Sequence, residues 1–293
     1  MRRYLVGRQY KRVYDLTITP IDGEARNIKE LRVNFEITKS ILSYPNLCKL
    51  VIYNPNEDTL SSLQKKFTKL ILNAGYEGDS RLLFKGEIRN VFQTKIGVNR
   101  LITIYAGDGE KDWQNATFNK TFTENVTVKA AIEEVLKTFK EVTIGVVNGL
   151  PTVADKLRGQ TLSGSSKDIL DGFADEYGFD WSIQDGEIIV NPVNSPLEVD
   201  EAVLINAATG MIGSPIITEI GTDVTTLLNP RLLPNKAFKI ESVNADIQLG
   251  NLFFRNIKRT NAEGTYKVQE VIFKGDSREG DWTSSVKGRI ING

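Results

Sequence analysis

The chain has 293 residues, 40% of them apolar and 25% charged, the make-up of an ordinary globular protein with room for two or three domains, each burying its own core. Lysine plus arginine and aspartate plus glutamate number 37 each, so bulk charge favours no polyanionic partner, and only a local patch could. The absence of histidine excludes Ser-His-Asp and Cys-His catalysis and imidazole-based zinc sites, leaving paired carboxylates or lysine as the remaining chemistry.

In chain order, Met1 to Arg8 carries charge but no following apolar run of signal-peptide type, and no membrane-spanning segment is predicted, so a cytosol-like compartment is expected. Residues 10 to 19 alternate, with Tyr14, Leu16 and Ile18 on one face. Leu31, Val33, Phe35 and Ile37 repeat that two-residue period, and the two runs read as an antiparallel pair. Leu47 to Tyr53 is a third strand, stopped at Asn54-Pro55, and its Cys48 reads as a small core hydrophobe. Leu60, Leu63 and Phe67 then take helical spacing, with Asp58-Thr59 as the expected N-cap. Strands resume at 68 to 73, 81 to 93 and 99 to 106, and this β unit closes at Gly107-Asp108.

From 108 to 195 the texture changes. Thr127 caps a helix with Val128, Ala131, Ile132, Val135, Leu136 and Phe139 on one side, followed by a short strand from Val142 to Val147. A second helix follows Ser165, with Asp168 completing a capping box, and stops at Gly178. A hairpin turns at Asp185-Gly186. After a linker at Pro192 to Pro196, strand texture returns at Ala202 to Ile205, Ile216 to Ile220, Ala237 to Ser242, Leu252 to Lys258 and Tyr266 to Phe273. The expected class is α+β, mainly β: a β domain at 1–107, a small α+β module at 108–195, a second β domain at 196–282, and a mobile or neighbour-paired tail at 283–293.

Two stretches echo each other. Ile102 to Trp113 and Glu270 to Trp282 each run from an apolar strand into Gly-Asp, a polar spacer and Asp-Trp (Asp112-Trp113; Asp281-Trp282). Two such copies predict one β unit used twice.

Other motifs read as structure. Ser62-x-x-Lys65 lacks the companion motifs of β-lactam-reactive enzymes. Asn54, Asn56 and Asp58 imitate a calcium loop, but Thr59 stands where glycine is needed and Lys65 where the closing Glu belongs. Asp168, Asp171 and Asp175 share a helix face that solvation accounts for. The Asn-x-Thr sequons at Asn115, Asn119 and Asn125 have no secretory context, and no nucleotide-binding glycine loop is present. Gly210 to Pro215 and Leu227 to Pro230 are dense in turn formers.

Those last two motifs, Thr209 to Pro215 and Leu227 to Pro230, together with Gly221, Pro234 and Gly275-Asp276, resemble the C-terminal half of the baseplate hub proteins of contractile-tailed bacteriophages. Leu31 to Lys39, Val51 to Asn54, Ala74 to Tyr76 and Leu83 to Ile88 resemble the first tube-like domain of that family. The resemblance implies two tail-tube-like antiparallel β-barrel or sandwich domains per chain. It also implies a homotrimer whose pseudo-six-fold ring meets the tail tube protein or tube initiator above, the central spike protein below and other baseplate proteins at the periphery. DNA would pass through its lumen without sequence-specific binding, and the protein would reside in the virion after assembly in the host cytoplasm. No catalytic, cofactor-binding or metal residue is assigned. The competing readings are a cell-wall hydrolase using Asp175, Asp180 or Asp185, and a monomeric binding module, which leaves the echo unexplained.

Overall fold

A computed structural model describes residues 9–20, 23–63, 68–151, 156–197, 201–218, 220–242, 246–247 and 262–291. The chain is α+β and mainly β, and divides into two compact units. One gathers the described residues of Met1–Ser40, Leu47–Gly107 and Pro196–Gly293; the other gathers Ile41–Asn46 and Asp108–Ser195.

The larger unit begins with β1 (Arg12–Thr19), β2 (Arg26–Ile28), β3 (Val33–Ser40), β4 (Leu47–Tyr53), α1 (Glu57–Leu63), β5 (Lys69–Tyr76), β6 (Asp79–Ile96) and β7 (Asn99–Gly107). Alternation makes these strands: Val33, Phe35 and Ile37 are buried while Asn34 and Glu36 are exposed, so one face of β3 joins a core and the other meets water. β1 and β3 are not the expected pair. β1 runs antiparallel to β2 and β5, whereas β3 pairs with β4, because local alternation fixes which face is buried but not which strand lies alongside. The cap of α1 is Asn56, whose Oδ1 accepts the Thr59 N–H at 2.9 Å, two residues before the expected Asp58. Phe67 lies outside the described residues.

The smaller unit holds α2 (Glu110–Asn115), β8 (Thr117–Thr127), α3 (Val128–Leu136), β9 (Thr143–Val147), β10 (Lys156–Ser165), α4 (Ser166–Tyr177), β11 (Phe179–Gln184) and β12 (Glu187–Pro192). β8 and β10 form a two-stranded antiparallel ribbon that the sequence reading missed, since its polar residues show no alternation to follow. Thr127 caps α3 as expected, accepting the Ala130 N–H at 3.2 Å. Ser165 stands at the N-cap of α4 without a side-chain cap bond, so the capping box with Asp168 does not form. Leu170 and Phe173 of α4 pack with the predicted face of α3 and with Trp181 in one core.

The rest of the larger unit comprises β13 (Val203–Ile205), β14 (Met211–Ile217), β15 (Gly221–Leu227), β16 (Ala237–Ile240), β17 (Asp246–Ile247), β18 (Gly264–Asp276) and β19 (Trp282–Ile290). The expectation of a tail from Thr283 that is mobile or paired with a neighbour is corrected. β19 is an interior strand, paired with β15 on one side and β18 on the other. Its apolar residues are few, but Trp282 and Val286 are buried and Gly288 allows close packing, so two flanking strands supply the order that composition does not. β15 was also missed, while Leu252 to Lys258 lies outside the described residues.

Candidate assembly surface

The two halves of the larger unit have the same plan. In the first, neighbouring strands run β3-β4-β7-β6-β5-β1; in the second, β14-β15-β19-β18-β16-β13. The first four neighbour pairs are antiparallel in both halves, and only the last differs, β5–β1 being antiparallel and β16–β13 parallel. The fine detail agrees too. β6 bulges against β7 between Ile88 and Asn90, and β18 bulges against β19 between Val268 and Glu270. Aligning the bulges makes Leu50 equivalent to Val224 and Ile104 to Val286, and all four are buried.

This alignment overturns the pairing of the two Gly-Asp motifs. β7, which ends at Gly107, corresponds to β19, whereas Gly275-Asp276 ends β18, the counterpart of β6. Trp113 accordingly lies in α2 of the smaller unit, while Trp282 opens a strand of the larger one. The repeat is present in the strand order, but the motif that advertised it does not sit at equivalent positions.

The two Gly-Asp motifs do different work. In the smaller unit, fully buried Asp108 accepts the Gly186 N–H at 2.9 Å and the Asp185 N–H, fixing the β11–β12 turn. Asp112 accepts the Val142 N–H at 3.0 Å together with that of Glu141, holding the approach to β9. Charge-assisted bonds of this kind stabilise turns more strongly than neutral ones.

In the larger unit, Gly275-Asp276 clamps one half to the other. β18 splits its outer edge: Gly264 to Lys267 pairs with β16 of its own half, and Glu270 to Asp276 pairs antiparallel with Ser40 to Asn34 of β3. Gly275 is required there, because a Cβ would stand 2.3 Å from the Phe35 ring and 2.8 Å from that of Trp282. Those rings meet edge to face at 5.4 Å. Arg32 binds Asp276 through Nε at 3.1 Å and a terminal nitrogen at 2.9 Å, while Asp276 Oδ1 accepts the N–H groups of Arg278 and Glu279 at 2.9 and 3.2 Å. Desolvation raises the Asp276 pKa, but the bonds from Arg32 and the two amides outweigh it, and the net direction is down. Arg12 donates to the carbonyls of Asp276 and Gly280 at 3.0 and 2.9 Å, Trp282 Nε1 donates to Gly75 O at 3.2 Å, and Arg231 pairs with Asp79 at 3.0 Å. The signal that could have located this joint was the Gly-Asp-Ser-Arg-Glu-Gly-Asp-Trp run, whose Gly275, Asp276 and Trp282 are buried, read as a clamp rather than as a domain end.

The remaining candidates fall into place as structure. Asp180 and Asp185 lie toward opposite ends of the β11–β12 hairpin, the latter at its turn with φ 55°. At about 3.3 Å per strand residue they are roughly 16 Å apart, beyond the span of a glycosidase carboxylate pair. Asp175 is exposed on α4, and Asp171 accepts the Trp181 indole N–H at 2.7 Å. Asn54, in the left-handed region, bonds Asn99 and the Arg100 amide, which makes it a turn residue. Burial pushes the Cys48 thiol up to about 12, against the lowering influence of Lys39, so it packs as a hydrophobe. Gly210 caps a 3-10 turn at φ 98° and leads into β14. The Ser62 side chain and Lys65 lie outside the described residues, and among those described no group of three or more acidic or cysteine side chains could hold a metal ion. No described helix is long and apolar enough to cross a membrane.

Among solved structures, the chain is similar to the 43 kDa tail protein of prophage MuSo2 from Shewanella oneidensis (TM-score 0.61, 9% identity, covering 94% of this chain and 96% of that one). It is also similar to a tail protein from Neisseria meningitidis MC58 (TM-score 0.60, 9% identity, 96% and 97% covered). A third likeness is the E. coli c3393 protein, described as a type VI secretion component structurally similar to the T4 tail proteins gp27 and gp5 (TM-score 0.60, 9% identity, 94% and 77% covered). At such identities these likenesses establish the fold. No curated protein matches by sequence. Residues 14–248 match the family model described as baseplate hub gp41, and the chain belongs to that baseplate hub family, a structural component of the tail of the phage virion.

Proposed function

We propose that the chain is a non-enzymatic hub whose two tube-like domains, residues 1–107 and 196 onward, let three copies close a ring of six similar units between the six-fold tail tube and the three-fold central spike. The observation that carries this reading is the repeated strand order within one chain. A ring needs heterologous contacts that recur around its axis, and two like domains per chain allow three chains to offer six nearly equivalent seats. The ring surrounds the DNA channel without reading sequence, takes tube or tube-initiator subunits on one face and the spike on the other, contacts other baseplate proteins at the periphery, and assembles in the host cytoplasm.

Native mass spectrometry of the chain, alone and mixed with the tube and spike proteins of the same phage, tests this. The expected result is a three-chain assembly that binds both. A monomer in every mixture would end the reading, as would wall-degrading activity abolished by an Asp-to-Asn change at Asp175, Asp180 or Asp185.

A further inference from the structure

The internal joint also describes an external one. In the second half, the part of β18 beyond its bulge is covered by β3, and Val271 and Phe273 are fully buried. The equivalent part of β6, Asn90 to Ile96, pairs with β7 on one edge and with no strand on the other among the described residues. The face that bears Phe92 and Ile96 is open, at 54% and 61% exposed, and Val98 at the hairpin tip is 94% exposed, while Val91 on the other face packs partly against the core. An apolar edge strand of this length invites addition of another strand.

The element that would cover it, by the internal template, is the counterpart of β3, namely β14. Each chain has one β14, at the far end of the sheet from β6, where among the described residues its outer edge carries the two-residue parallel strand β17. Charge agrees with this assignment. Between Ile88 and Ile96 the β6 edge carries Arg89 and Lys95 and no carboxylate, whereas Met211 to Pro230, which includes the β14–β15 hairpin, carries Glu219 and Asp223 and no lysine or arginine.

We propose that the open β6 edge of one chain receives β14 of a second copy, displacing β17, in the register of the β18–β3 joint. This rests on the ring reading and names its seam. The template pair Lys274↔Glu36, bridged at 3.6 Å, then becomes Thr94 of one copy opposite Ile216 of the next. Because β6 and β14 are different surfaces, the contact is heterologous and can propagate until a ring closes.

Directly opposite residues in an antiparallel pair lie within disulfide reach, so the double variant Thr94→Cys/Ile216→Cys tests the register. Under mild oxidation it should give covalent multimers that end at the size of the native assembly, while each single variant gives none. A second variant, Phe92→Asp/Ile96→Asp, changes only exposed positions; it should keep the wild-type melting profile and lose assembly. Wild-type protein that never assembles in native mass spectrometry overturns the ring and the seam together. Assembly that yields no cross-link in the double variant and survives the aspartates overturns the seam alone.

Discussion

The two halves of the β unit solve one packing problem with different residues. Gly86 and Tyr266 occupy equivalent places, as do Leu70 and Phe238, and Ala106 and Gly288. Where the second half inserts two stacked rings, Phe238 and Tyr266 with centroids 5.4 Å apart, it gives up a methyl group at Gly288, whose Cβ would stand 2.3 Å from the Phe238 ring. The first half keeps the methyl of Ala106 and a smaller Leu70. Interiors are close-packed, so a fold copied within a chain can drift in sequence only through such compensations. The halves differ more in what surrounds them: β18 is covered along its length, and among the described residues β6 is covered only through Ile88.

The largest test of this equivalence compares Phe273 with its counterpart Gln93. Phe273→Ala removes a fully buried ring from the joint and should cost about 3–5 kcal/mol, while Gln93→Ala in the isolated chain should stay within about 0.5 kcal/mol, both read from urea unfolding. Equal effects would mean that the bulge alignment is wrong. A smaller contrast concerns the compensating pair. Gly288→Ala forces a methyl against Phe238 and should cost about 1–3 kcal/mol. Ala106→Gly loses little contact and should cost about 0.5–1 kcal/mol, mainly through backbone entropy.

The contrast between the halves also explains what could be read in advance. A strand whose two faces meet different surroundings, such as β3, is announced by period two, and β4, Leu47–Tyr53, is legible to the residue as an apolar run stopped by Asn54-Pro55. β15 and β19 are not, because Gly-Thr-Asp-Val-Thr-Thr-Leu and Trp-Thr-Ser-Ser-Val-Lys-Gly-Arg-Ile place small polar residues at buried positions. Thr222, Thr226 and Ser284 are buried, so their neighbours rather than their hydropathy make them core. The joint was visible as a motif and misjudged as a domain end, since nothing local distinguishes a Gly-Asp that ends a strand from one that locks two domains. Strand order, the feature on which the proposed ring rests, is a set of long-range pairings that a linear pattern does not encode.

Two carboxylates of the second half extend the comparison to pH, with opposite signs. Asp276 has its pKa lowered below the usual 3.8 by Arg32 and two backbone amides, against the desolvation that raises it. Its contribution is therefore complete above the unfolded-state value and is lost as pH falls through the lower folded-state value. Asp223 is raised from 3.8, chiefly by burial, with Glu270 adding to and Lys287 opposing the shift. Its folded form binds protons more readily, so stability gains from it as pH falls through that raised value. The first half places Lys49, Tyr105 and Asn90 where the second has Asp223, Lys287 and Glu270, and has no counterpart to this charged row. Asp276→Asn should lower stability at neutral pH and flatten the loss seen below pH about 4, whereas Asp223→Asn should change stability little or raise it slightly at neutral pH and remove the opposing gain on acidification. Denaturant midpoints measured across that range distinguish the two; the same sign for both variants would show that burial, and not the Arg32 clamp, governs Asp276.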